Sequence, residues 1–168
     1  MKKIVLSLFS LFIGISTFSQ GLCVIPNQPI GEGKGIFPGR VVWAMDSAVS
    51  KWDGATGQWW NDGNIDQTVL ENMYEKSLCT LAGTNDIGKA WEKTFKYHNI
   101  TRGKGNHGYK QGETIAVKIN LNNTFGTDDR DNDIDQSPQA TIALLHQLIQ
   151  KAGVPQNCIV IYLSLIHI

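Results

Sequence analysis

The sequence predicts an α/β domain: a parallel βαβ-containing sheet flanked by helices, incomplete on its C-terminal side. Three observations carry this. Thr114–Leu121 alternates, with Ile115, Val117, Ile119 and Leu121 on one face. A helical stretch, Gln139–Ala152, follows behind the start signal Ser137-Pro138 and ahead of the stop Gly153. Cys158-Ile159-Val160-Ile161-Tyr162 is then a near-continuous apolar run, the pattern of a strand covered on both faces. Strand, helix and strand at this spacing form a βαβ unit with parallel pairing and a right-handed crossover.

The N-terminus has its own logic. Lys2 and Lys3 precede an uncharged apolar run of 12 residues, Ile4–Ile15, too short for the about 20 a spanning helix needs. Thr17 and Ser19 are small residues at the −3 and −1 positions of a cut before Gln20. Residues 1–19 therefore read as a secretory signal peptide, and the chain as exported, periplasmic or secreted, with no transmembrane anchor after cleavage. A lipid anchor on Cys23 fits poorly, because Gln20 and Leu22 stand where an aliphatic and a small residue belong.

Removing Lys2 and Lys3 leaves 13 basic residues of the original 15 against 15 acidic ones, a formal charge of −2. That excludes the basic footprint of a nucleic-acid partner. Three cysteines, Cys23, Cys79 and Cys158, leave at least one thiol unpaired, and no Cys-x-x-Cys spacing supports zinc or an iron–sulfur cluster. A Cys79–Cys158 bridge and two buried free thiols stay equally open.

Residues 20–65 form a Gly/Pro/Trp-rich leader around a short strand, Arg40–Ala44. Trp52, Trp59 and Trp60 suit a loop packed onto the domain, with an exposed sugar-stacking platform as the alternative. The α/β part occupies residues 66–162. From Asp66 the period turns helical: Val69, Leu70, Met73, Tyr74, Leu78 and Leu81 share a face, Asp66 caps the start and Gly83 ends it. A second helix is expected from about Asp86 to Tyr97, with Ile87, Trp91 and Phe95 inward. Arg102–Gly112 is a glycine-rich loop whose G-x-G-x-x-G match, Gly103–Gly108, follows a helix and enters a strand, the reverse of the dinucleotide-binding context.

Two candidate sites emerge. Ligands of open parallel sheets bind beyond the carboxyl ends of strands. Lys118 and Asn120 share a face there, and the helix opened by Ser137 brings backbone N–H groups. Lys118, Asn120 and Ser137 would suit a small carboxylate or phosphate. The second is the acidic loop Asp128–Asp135, five acids in eight residues, where Asp129, Asp131 and Asp133 are candidate ligands for Ca2+ or Mg2+. It is not an EF-hand: counted from Asp129, Ile134 stands where glycine is needed and Ala140 where the bidentate Glu belongs. The corresponding function would be a non-catalytic calcium-binding envelope or surface module. No nucleophile elbow, P-loop or His-Glu-x-x-His names a reaction, so the residues leave enzymatic activity open.

Gly35–Trp43, Arg102–Gly105, Gly108–Glu113, Val117–Asn120, Ser137–Ala140 and Ala152–Val154 together resemble exported Bacteroidetes-type members of domain-of-unknown-function family 362. The likeness covers most of residues 35–162. It implies an α/β domain longer than this chain, names no reaction, and points to Lys118 and Asn120 as site positions. Some members carry ferredoxin-type cluster cysteines, which this sequence lacks. After Tyr162 the family pattern turns into a polar loop, whereas Leu163–Ile168 stays apolar. Residues 163–168 therefore read as a non-native tail.

Overall fold

A computed structural model describes residues 30–121 and 135–163; the signal segment, Cys23 and most of the acidic loop lie outside the described residues. The chain divides into units Met1–Gly31 and Glu32–Ile168, and the description below concerns the second. Its elements in order are α1 (Gln67–Ala82), α2 (Ile87–Thr101), β1 (Ile115–Ile119), α3 (Pro138–His146) and β2 (Ile159–Leu163). β1 and β2 pair in parallel with Val117 opposite Ile161 and Lys118 opposite Tyr162. The fold is mixed α/β, as the strand–helix–strand order requires.

The caps form where the short polar side chains stand. Asp66 accepts the Val69 N–H at 3.1 Å, Asp86 accepts that of Lys89 at 2.9 Å and Ser137 accepts that of Ala140 at 3.0 Å. Gly83 ends α1 at φ +61°, and a Cβ there would stand 2.8 Å from the Phe37 ring. That close approach lets the leader dock. Arg40 lies over Phe37, 3.8 Å from its centroid, and donates to the Thr80 carbonyl at 2.8 Å. Lys93 donates to the carbonyls of Ala82 and Gly83, both at 3.2 Å. Two cations thus serve the orphan carbonyls and negative end of α1. α2 runs to Thr101, one turn beyond the expected Tyr97, before Arg102 and Gly103 (φ +68°) end it.

The core lies between the helices and one sheet face. Trp91, Val117, Leu148 and Val154 are buried, with Leu78, Phe95, Ile115, Ile119 and Leu144 packed around them. Trp91 stacks on Phe95 at 5.4 Å, and Phe95 meets Tyr109 at 5.9 Å.

Four expectations need correction. Arg40–Ala44 is not a strand, because no described segment pairs with it; Val41 and Trp43 are exposed instead. The helix expected over Gln139–Ala152 is α-helical only to His146 and finishes as a π turn, Gln147–Lys151, closed by Ala152 N–H on the Gln147 carbonyl at 2.9 Å. The extra residue per turn puts both Gln147 and Leu148 inside, and Ile142 lies outward at 42% exposure. Leu81, expected inward on α1, is 38% exposed at the helix end. β2 is not covered on both faces: Val160, Ile161 and Tyr162 stand 51%, 41% and 47% exposed, because among the described residues the core packs against Cys158 and Ile159 and leaves the rest of this strand open. Cys79 and Cys158 are free thiols, which decides between the two readings of that pair.

The aromatic loop is packed down. Trp52 donates its indole N–H to the Thr56 carbonyl at 3.0 Å, Ser50 bridges Ile65, and Gln139 donates to the Trp60 carbonyl at 2.9 Å. Trp52, Trp59 and Trp60 are all half-buried.

Candidate functional site: the carboxyl edge of β1

β1 buries Val117 and half-buries Ile115 and Ile119, so Ala116, Lys118 and the following Asn120 face outward. β1 ends at Ile119, and the described chain resumes at Asp135 ahead of α3. There the Gln136 N–H donates to the Asn120 carbonyl at 3.1 Å. This one backbone bond ties the end of the strand to the start of α3. Asn120 and Ser137 therefore share one edge of the sheet. Lys118 stands one pleat back, on the face opposite the one α3 covers, and reaches that edge only along its own side chain. Its ammonium has no ion-pair partner among the described residues.

The start of α3 offers fewer donors than the sequence reading supposed. Pro138 has no N–H, and the Ala140 N–H is taken by Ser137 Oγ. Thr141 donates to the Ser137 carbonyl at 3.1 Å. Among the described residues that leaves the Gln139 N–H without a partner, with the Ser137 O–H beside it. The proline and serine that start the helix are the residues that use up its anion-binding groups.

Sequence reasoning missed the glutamines around this edge. Gln139 is 9% exposed in the first turn of α3; its Nε2 holds the Trp60 carbonyl, while its Oε1 has no partner among the described residues. Its backbone carbonyl accepts from Gln67 Nε2 at 3.2 Å. Burial pushes the Tyr74 phenol up, partly offset by a side-chain hydrogen bond with Gln136. The available signal was the i, i+4, i+8 row of Gln139, Ala143 and Gln147, a stripe on which a solvent-facing residue would not need to be small.

The acidic candidates Asp129, Asp131 and Asp133 lie outside the described residues, and among the described residues no group of carboxylates, histidines and cysteines is arranged to hold a metal. His107 in the glycine loop is engaged structurally: its Nδ1 lies 2.8 Å from the Gly108 carbonyl and its Nε2 3.0 Å from that of Lys104.

At the far end of α3, His146 Nδ1 lies 2.7 Å from Glu71 Oε1, which also accepts from Gln67 Nε2 at 3.2 Å. The His146 contact, with help from Gln67, holds the Glu71 carboxyl below its ordinary 4.5 despite some desolvation. A depressed carboxylate stabilises the fold above its unfolded value and loses that contribution as pH falls through the folded one. Thermal melts of wild type should therefore lose stability below about pH 4.5 more steeply than those of Glu71→Gln. Superimposable acid profiles would show that this half-exposed pair contributes nothing measurable.

Among the described residues no helix is long and apolar enough to cross a membrane. Comparison with protein-family models, with curated proteins and with solved structures finds no match to this chain.

Proposed function

We propose that this chain is an exported α/β protein that binds a small anionic ligand at the carboxyl edge of β1. The Lys118 ammonium supplies the charge, and the Asn120 amide, the Ser137 O–H and the Gln139 N–H supply the hydrogen bonds. The observation that carries the reading is the Gln136–Asn120 backbone bond, which joins the strand end to the helix start, with Lys118 one pleat back and without an ion-pair partner among the described residues. The motif resemblance to domain-of-unknown-function family 362 favours the same two positions, Lys118 and Asn120. The segment 1–19, with Lys2 and Lys3 ahead of the uncharged run Ile4–Ile15, supports export.

The expected affinity is modest. One exposed ammonium on a carboxylate or phosphate gains about 1–4 kcal/mol at surface dielectric values. Titration of the full chain with inorganic phosphate and with acetate, followed by amide chemical shifts, should perturb Asn120, Ser137 and Gln139. Lys118→Met should weaken phosphate binding about tenfold, equivalent to ~1.4 kcal/mol, without changing the melting temperature. Phosphate binding unaltered by that substitution would refute the assignment. Heat released by calcium with none from phosphate would favour the acidic-loop reading instead.

A further inference from the structure

The segment Val41–Met45 lies unpaired along the outside of the domain. Val41, Trp43 and Met45 are 86%, 79% and 82% exposed, while Val42 between the first two is half-buried and lines a cleft with Leu78, Leu81 and Trp91. The alternation over Val41, Val42 and Trp43 is that of an extended segment, and it lapses at the exposed Ala44. No backbone group from Val41 to Met45 is hydrogen-bonded to a described residue. A groove of about 360 Å³ separates Trp43 and Met45 from Val69, Met73 and Lys76 of α1. The segment is thus anchored by Arg40 and Val42 but leaves an apolar row and a set of main-chain donors and acceptors open, the requirements for strand addition.

The charges at its two ends select the occupant. Arg40 precedes the apolar row, with its guanidinium held over Phe37 and on the Thr80 carbonyl. Asp46 follows it, its Oδ1 held by the Ala48 N–H at 3.0 Å and its Oδ2 unclaimed among the described residues. We infer that Val41–Met45 is the contact strand of a two-fold dimer, pairing antiparallel with the same segment of a second copy about Trp43. In that register Trp43 faces Trp43, Val41 faces Met45 of the second copy, and Arg40 faces its Asp46 at both ends. A parallel arrangement would set Arg40 on Arg40 and Asp46 on Asp46. Aromatic and apolar cross-strand pairs stabilise such a ladder, and opposite charges fix its direction. Three exposed apolar side chains per copy bury less than the ~800 Å² per partner of a standard interface, so the dimer belongs with the small, transient interfaces.

Sedimentation of the full chain from ~5 to ~500 μM should show the average mass rising toward twice that of the monomer. Trp43→Lys should hold it at the monomer while leaving the melt unchanged at low concentration, since Trp43 is exposed. Register is read by oxidative cross-linking against a wild-type control for the native thiols. Val41→Cys and Met45→Cys should each fail to cross-link alone and should cross-link when mixed, and Trp43→Cys should cross-link to itself. A monomer at every concentration overturns the inference, as does self-cross-linking of Val41→Cys without the mixed product.

Discussion

Trp91→Ala is expected to cost about 3–5 kcal/mol, the usual toll for removing a buried aromatic, and to leave much of the chain unfolded at 37 °C. Trp91 is 9% exposed and is the largest side chain of the core cluster. It stacks on Phe95 and lines the apolar cleft between α1 and α3 with Leu78, Leu144 and Val42. Its indole N–H also reaches Gln147 Oε1 at 3.4 Å. Truncation opens a void where three helices and the leader meet, and it strands a glutamine that is 4% exposed. Trp91→Phe separates the two contributions, because it keeps most of the volume and loses the donor. Chemical denaturation monitored by circular dichroism gives both values. A loss below about 1 kcal/mol for the alanine variant would mean that this cluster is not the centre of stability.

Asn99→Ala should cost about 1–3 kcal/mol, and its effect should be local. Asn99 is 3% exposed near the end of α2. Its Nδ2 donates to the carbonyls of His107 at 3.0 Å and Gly108 at 3.1 Å, pinning the glycine loop to the helix that precedes it. Alanine leaves those carbonyls without their buried donor. Amide hydrogen exchange over Lys104–Tyr109 should then accelerate at least tenfold while β1 and α3 keep their protection. Uniform acceleration across the chain would mean that the loop is not a separate unit. Asn99→Asp is the sharper control: it keeps the shape but offers an acceptor to two acceptors.

Much of the fold is legible because its signals are local. Asp66, Asp86 and Ser137 cap the helices they precede in sequence, and Gly83 and Gly153 adopt positive φ at helix ends, since no neighbouring element is needed to satisfy those rules. The alternation of Ile115, Val117 and Ile119 marks the inner face of β1 for the same reason. Two of the misreadings are questions of partnership. Val41, Val42 and Trp43 have strand propensity, but a strand exists only where another backbone accepts its hydrogen bonds. Cys158–Tyr162 is apolar enough for two covered faces, yet Val160, Ile161 and Tyr162 are exposed because the described core reaches only Cys158 and Ile159.

The candidate site divides along the same line. Lys118, Asn120 and Ser137 were visible as a lysine, an amide and a cap on either side of a turn. Gln136 was not, because its role is a backbone N–H closing across residues 121–135, which no side-chain pattern announces. Gln139 was hidden in the first turn of an apolar helix, where its place is fixed by contacts with the distant Trp60 and Gln67 rather than by helix propensity.

By itself, then, the sequence determined the α/β class, the helix starts and stops, and the pairing of like strands through a connecting helix, all of which follow from short-range backbone chemistry and hydrophobic period. Only the tertiary structure decided that the leader clamps the end of α1 through Arg40 and Phe37, that the aromatic loop is packed rather than presented, and that Lys118 looks out from the face opposite α3. Those outcomes depend on which surfaces meet, and burial is a property of contacts between distant segments rather than of any one of them.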